Sequence, residues 1–198
     1  MAAVSAPYGL RAVNELGGLP YAGSTRSFLI DPAGTTANIY NGTVVAVGTT
    51  GYIAPVTNVG SQADAFPAGV VGVFVGCQYI NAQGQVIYSQ YYPTGTTGVV
   101  TAYVIDDDRT VFQAQCIGSL GQTALGANVY FNAAQTGSTS TGNSTTALST
   151  TLGSNAAIAF KVVGFVQGPF STVGDAATDV LIKFNVGSHA YNTGTGVA

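Results

Sequence analysis

Few residues of this chain could carry out catalysis, and they form no recognisable motif. The only histidine, His189, has no cysteine or carboxylate near it in the sequence. The nucleophile elbow of the α/β-hydrolases, the phosphate-binding loop and the zinc-protease helix are all missing. We therefore interpret His189 as a surface or inter-subunit histidine, and we expect neither an enzyme nor a cofactor.

The one charge cluster is Asp106-Asp107-Asp108, which is followed by Arg109. Three carboxylates could begin a calcium site, because Ca²⁺ takes several oxygen ligands. Their spacing does not match an EF-hand loop, however, and Asp side chains also hydrogen-bond the backbone of turns. We expect a turn between two strands here, in which Arg109 neutralises one acid, and we keep a metal site as the weaker alternative.

Charge is scarce along the whole chain. Of 198 residues, 5 are basic and 8 acidic, so charged residues make up 7% and the net charge is −3. A surface this poor in charge tends to associate with other protein. The basic residues are scattered singly, whereas binding to nucleic acid needs clustered Lys and Arg. We expect a protein partner and no nucleic acid.

Neither a signal peptide nor a membrane span is expected. The first residues have no basic region and no apolar core, and the longest apolar stretch, residues 68–77, is far shorter than the roughly 17 residues that cross a bilayer. These features predict a protein made in a cytoplasm. There, Cys77 and Cys116 are most simply buried thiols, although a disulfide between their two predicted strands stays open.

The composition favours strands over helices throughout. Only one Glu and two Lys occur, against 27 Gly, and short apolar runs rich in β-branched and aromatic residues alternate with Gly, Asn and Pro. The pattern predicts an all-β fold, a barrel or a sandwich (a β-tulip is one such form). The candidate strands are residues 43–47, 52–55, 70–79, 86–92, 99–105, 110–116, 157–166 and 180–186. Gly72 and Gly76 should allow a bend or a close approach in the third.

The last strand has the clearest alternation, with Val180, Ile182, Phe184 and Val186 on one face. Two other segments differ from the rest. We interpret residues 1–27 as an extended N-terminal arm, with a segment folded onto its own barrel as the alternative. Residues 28–198 would form one β-rich body, in which the Ser, Thr and Gly of residues 135–155 indicate an exposed loop or flexible insertion.

Tyrosine is the preferred aromatic residue, with 11 copies against no Trp. Four of them cluster at Tyr79, Tyr88, Tyr91 and Tyr92. A tyrosine offers a rigid apolar ring with a polar tip and is enriched at interfaces. We expect the group to serve an interface, with ordinary strand packing as the alternative for any single member.

Three segments resemble the capsid cement (decoration) proteins of tailed phages. The first has Gly-Leu-Arg at 9–11, Gly17-Gly18 and Tyr-Ala-Gly-Ser-Thr-Arg at 21–26. The second has Gly-Val-Phe-Val-Gly-Cys-Gln-Tyr at 72–79 and Ser-Gln-Tyr-Tyr-Pro at 89–93. The third and most specific is Tyr-Val-Ile-Asp-Asp-Asp-Arg-Thr-Val-Phe at 103–112, in which Asp108 stands where a proline would be expected. The resemblance covers residues 8–131.

The resemblance implies a virion protein that binds the outside of an assembled capsid and stabilises it by bridging subunits of the major capsid protein. It also implies self-association as a homotrimer. Aromatic residues and Arg carry most interface energy, so the expected contacts are Tyr8, Leu10, Arg11, Tyr21 and Arg26 of the arm, with Tyr79, Tyr91 and Tyr92 of the body. The alternatives are a tail-fibre or adhesin β-domain and, less favoured, a jelly-roll carbohydrate-active enzyme.

Overall fold

The computed structural model describes residues 4–57, 66–67, 69–193 and 196, and in these the prediction of an all-β fold is confirmed. The described residues contain eleven strands, two short 3₁₀ turns and no α-helix. The strands are β1 Arg11–Glu15, β2 Arg26–Ile30, β3 Thr43–Val47, β4 Ile53–Pro55, β5 Val70–Ile80, β6 Val86–Ser89, β7 Val100–Ile105, β8 Thr110–Gln115, β9 Asn128–Val129, β10 Phe160–Phe165 and β11 Asp179–Phe184. The 3₁₀ turns are Gln122–Ala124 and Val186–Ser188.

Five strands close into a small barrel. In the order β3-β4-β2-β7-β5, each strand pairs with the next, and β5 pairs back with β3. Only the β2–β4 contact is parallel. β6 pairs with the far half of β5 and lies outside the ring as an edge strand. The interior is filled by apolar side chains, as in other barrels of this size; they include Ile30, Ile39, Val45, Ile53, Val71, Phe74, Cys77, Tyr92, Val100, Ala102 and Val104.

A second, antiparallel sheet covers one side of this barrel. Its strand order is β1-β8-β11-β10-β9. It packs over β3 and the first half of β5, so a second core lies between sheet and barrel. At its centre five phenylalanines contact one another, with ring centroids 5.1 to 6.4 Å apart. These are Phe66, Phe112, Phe131, Phe160 and Phe184.

β5 is the wall between the two cores. Val70 and Val73 belong to the core under the second sheet, whereas Val71 and Phe74 belong to the barrel interior. This explains why the strand is apolar on both faces. Gly72 has φ +144°, and a Cβ there would overlap the carbonyl oxygen of Ile105, so the close approach predicted for this glycine is confirmed.

Most of the predicted strands occur near their predicted positions, but β1, β2 and β9 were not predicted. In β11 the predicted face is buried at Val180, Ile182 and Phe184. Its extension to Val186 is wrong, since Val186 is 64% exposed. The strand ends because the Asn185 side chain accepts a hydrogen bond from the Val186 N–H and begins a 3₁₀ turn.

The extended arm predicted for residues 1–27 is wrong for the part that the structure describes. β1 pairs with β8, and β2 pairs with β7 and β4. The reason is that Leu10 is an apolar side chain with a place in the core, where it is 2% exposed, and the strand after it finds an open edge at β8. Residues 10–30 therefore fold onto their own body.

Residues 135–155, predicted as an exposed loop, are packed against the barrel and the second sheet. Leu148 and Ser144 are completely buried. Small hydroxyl side chains can be buried here because they find partners: the Ser144 Oγ donates to the Thr136 carbonyl at 3.0 Å. The Gln135 amide likewise bonds the backbone N–H and C=O of Val44.

Candidate functional site

The chain after β1 turns back on itself in a short hairpin. The Glu15 N–H donates to the Leu19 carbonyl at 2.7 Å, and the Tyr21 N–H donates to the Val13 carbonyl at 3.5 Å. The turn needs two residues with positive φ, which are Gly17 at +111° and Gly18 at +85°. We call residues 16–19 the hairpin tip.

The hairpin tip presents apolar side chains to solvent from a fixed backbone. Leu16 is 42% and Leu19 63% exposed, and Val13 at the base is 38% exposed. The Leu16 N–H donates to the Arg109 carbonyl at 2.8 Å, which ties the tip to the turn between β7 and β8. The tip is therefore ordered before any partner arrives, which lowers the entropy cost of binding.

A cleft of about 400 Å³ lies beside this hairpin. Amide, guanidinium and phenol groups reach its wall, and the Gln90 Nε2 donates to the Asn143 Oδ1 at 2.7 Å across it. Amide side chains both donate and accept, so they can bond an extended backbone. The lining residues are Leu10, Arg11, Ala12, Tyr21, Asn41, Val75, Gln90, Ile105 and Asn143.

Residues 4–8 lie along the second sheet beside the cleft. The Gln115 amide accepts from the Ala6 N–H at 2.7 Å and donates to the Val4 carbonyl at 3.3 Å. The Arg11 guanidinium lies over the Tyr8 ring, 4.4 Å from its centroid, a favourable cation–π distance. One side chain thus holds this segment through two backbone groups, and Arg11 holds its end.

The electrostatics of the site keep its phenols neutral. Burial raises the pKa of Tyr8, and the Asp179 carboxylate adds to the effect. Burial also raises the pKa of Asp179, chiefly because the charged form is poorly solvated there. The Tyr8 hydroxyl and the Asp179 Oδ1 interact electrostatically but have no hydrogen bond of good geometry to any described residue. Among the described residues that line the cleft, Arg11 alone carries a fixed charge.

Of the five contact residues predicted for the arm, four come together around this hairpin and one does not. Tyr8, Arg11 and Tyr21 are at least partly accessible, whereas Leu10 is buried and positions its neighbours rather than offering a contact. Arg26 is not among the residues that line the cleft. Its Nε is 2.8 Å from the Asp106 Oδ2, and its Nη1 donates to the Tyr191 hydroxyl at 2.6 Å.

The predicted tyrosine cluster is divided by the barrel wall. Tyr92 is completely buried in the barrel interior, so its prediction as a surface contact is wrong. Tyr79 packs against the same core, and Tyr91 stacks on Tyr40 with ring centroids 5.7 Å apart. Tyr88 is the exposed member, at 73%.

The turn predicted at Asp106–Asp108 is confirmed, although it joins the barrel strand β7 to β8 of the other sheet. The Asp107 Oδ1 accepts from the Arg109 N–H at 2.8 Å. The ion-pair partner of the acidic cluster is Arg26 rather than Arg109. In residues 4–57, 66–67, 69–193 and 196, no group of three His, Cys, Asp or Glu side chains is placed to hold a metal ion.

His189 is fully buried, so its prediction as a surface or inter-subunit histidine is wrong. Its Nε2 lies 3.1 Å from the Val71 carbonyl, and burial lowers its pKa. Cys77 and Cys116 are buried free thiols, as predicted. They belong to different cores, and burial raises the pKa of each to about 12.

Sequence reasoning missed Leu16 and Leu19, although a signal was present. Two leucines on either side of Gly17-Gly18 are typical of a tight turn that leaves its flanking side chains exposed.

No helix with the length and apolar character of a membrane span occurs in the part of the chain that the structure describes.

Fold and site together define an all-β protein in which a closed five-strand barrel carries a flanking five-strand sheet. No family model, curated protein or solved structure matches the chain significantly.

Proposed function

We propose that this chain is a structural virion protein that binds the outer surface of an assembled phage capsid and stabilises it by bridging subunits of the major capsid protein. The observation that carries the proposal is the hairpin: an ordered apolar tip beside a cleft whose wall holds amide groups and the Arg11 guanidinium, on a chain with 7% charged residues. Such a surface favours contact with protein, because it combines exposed apolar side chains with few charges.

The hairpin tip and the cleft would act as two parts of one contact. The tip can bury Leu16 and Leu19 in a depression of the shell, while the amides of Gln90 and Asn143 bond an extended segment of the same subunit. Arg11 at the cleft wall can pair with a carboxylate of that segment. Apolar burial would supply affinity, and the polar groups would set the register.

Modest affinity for each contact suffices on a closed shell. A bound molecule that touches two shell subunits holds them by both contacts at once, so dissociation needs both to break. Low charge also limits repulsion between neighbouring copies. The proposed location is therefore the virion, on the capsid exterior, after assembly in the host cytoplasm.

Quantitative mass spectrometry of the purified particle encoded with this chain tests the proposal. About one copy for each major shell subunit is expected, because only a site repeated over the lattice holds so many. A handful of copies in each particle would move the protein to the tail or a fibre. Absence from the particle would refute the structural role.

A further inference from the structure

One outer side of the barrel carries exposed apolar side chains that no described strand covers. Directly opposed residues run across four strands in the order Tyr88, Gln78, Thr101 and Leu29. Ile80 and Val86 form the next row, and Val99 lies just before β7. We call these residues the outer barrel face. Its exposed members are Leu29 at 46%, Ile80 at 56%, Val86 at 51%, Tyr88 at 73% and Val99 at 73%.

The edge strand β6 borders this face with free backbone groups. The Asn81 N–H donates to the Gln85 carbonyl at 2.9 Å across the turn between β5 and β6. In an antiparallel ladder, hydrogen-bonded residue pairs alternate with pairs that are not hydrogen-bonded. Counting from the bonded pair Asn81–Gln85, the backbone of Ile87 bonds β5, whereas the N–H and C=O groups of Val86 and Tyr88 point away from β5. These groups have no backbone partner among the described residues.

We propose that the free edge of β6 binds a second copy of this chain, with the two β6 strands antiparallel about a two-fold axis at Ile87. In this register Val86 of each copy lies opposite Tyr88 of the other. The four outward N–H groups of the two strands then meet four outward carbonyls. Each pair also places an aromatic ring against a β-branched side chain, a stabilising combination across strands.

The absence of charge and the residue types of β6 both favour a second copy as the partner. β5, β6 and β7 contain no charged residue, so two copies bring no like charges together. β6 also has none of the lysines or prolines that protect an edge strand from pairing. The apolar side chains that meet at the paired edges are Val86, which is 51% exposed, and Tyr88, which is 73% exposed.

The contact is independent of the proposed function, since its test needs no capsid. A two-fold contact closes at two copies, so it predicts a dimer in solution where the family resemblance predicts a trimer. Sedimentation equilibrium of the full chain should therefore show a dimer. Tyr88→Lys, which places a charge in the centre of the contact, should raise the dimer dissociation constant at least tenfold.

Two further variants make the test specific. Val86→Pro removes one donor at the free edge without removing a bond to β5, and should also favour the monomer. Phe170→Lys adds the same charge at a residue that is 76% exposed and outside the face, and should leave the dimer unchanged. A monomeric or trimeric wild type, or a dimer that survives both face variants, would overturn the proposal.

A cross-link gives a readout that does not depend on the face variants folding well. At the two-fold axis Ile87 lies opposite Ile87 of the other copy in a non-hydrogen-bonded pair, about 4.5 Å between Cα atoms, which is within disulfide range. Ile87→Cys should form a covalent dimer under mild oxidation, while Ser154→Cys, an exposed control, should not. An Ile87→Cys protein that stays monomeric while wild type sediments as a dimer would place the contact elsewhere.

Discussion

Replacing both leucines of the hairpin tip by serine should weaken the proposed capsid binding without unfolding the protein. Leu16 is 42% and Leu19 63% exposed, so together they present about as much surface as one whole leucine side chain. Burying one leucine contributes about 1.5–3 kcal/mol. At about 1.4 kcal/mol for each factor of ten, the double variant should bind roughly 10- to 150-fold more weakly.

The assay is co-sedimentation of the purified chain with shells that lack it, over a range of concentrations. Because both side chains are already exposed in the free protein, the free energy of unfolding should change by no more than about 0.5 kcal/mol. Leu125→Ser is the matched control, since Leu125 is 50% exposed and lies far from the hairpin in sequence. Binding of the double variant within twofold of wild type, with the melting curve unchanged, would refute the role of the tip.

Three further outcomes follow from the same structure. Gly72→Ala should lower the free energy of unfolding by at least about 2 kcal/mol in a denaturant melt, because the added Cβ would overlap the Ile105 carbonyl. Gly84→Ala is the control: Gly84 also has a positive φ but open space around it, so this variant should lower the free energy of unfolding by only about 1 kcal/mol. Burial lowers the pKa of His189, so the unfolded chain binds the proton first; the melting temperature should fall as pH drops below about 6.5, and His189→Gln should flatten that part of the profile. Gln115→Ala should release residues 4–8, which would appear as faster proteolysis at the N-terminus with wild-type cleavage elsewhere. An unchanged free energy of unfolding together with no gain in cleavage would contradict the role given to the Gln115 amide.

Sequence patterns predicted the elements whose side chains follow one clear period. β11 was predicted from its alternation, and β5 from an apolar run that later proved to face two cores. β1 and β2 were not predicted, because polar residues and nearby glycines interrupt their apolar pattern. They are strands because they pair with β8 and β7. Local propensity could not reveal partners so distant in sequence.

Sequence reasoning described the site only in part, because Leu16 and Leu19 were not among the predicted contacts and Leu10 and Tyr92 are buried. Tyr8, Arg11 and Tyr21 do come together, yet as a folded hairpin and cleft instead of a free arm. Tyr92 shows the limit most clearly. Residue type alone marks a tyrosine as suited to an interface. Whether its side chain points into the barrel or out to solvent depends on how the chain pairs around the closed barrel, and no local sequence pattern contains that information.

The order of strands in the two sheets has a consequence for synthesis. Every pairing of the barrel is available once residue 105 has left the ribosome, since β2, β3, β4, β5 and β7 all precede that point. The second sheet, in contrast, has β11 at its centre, between β8 and β10, and β11 is the last strand in the described part of the chain. We expect the nascent chain to close its barrel first and to hold β1 and β8 without their central neighbour until nearly all of it has been translated. During that interval the phenylalanine core is open to water, and the growing chain is most in need of a chaperone.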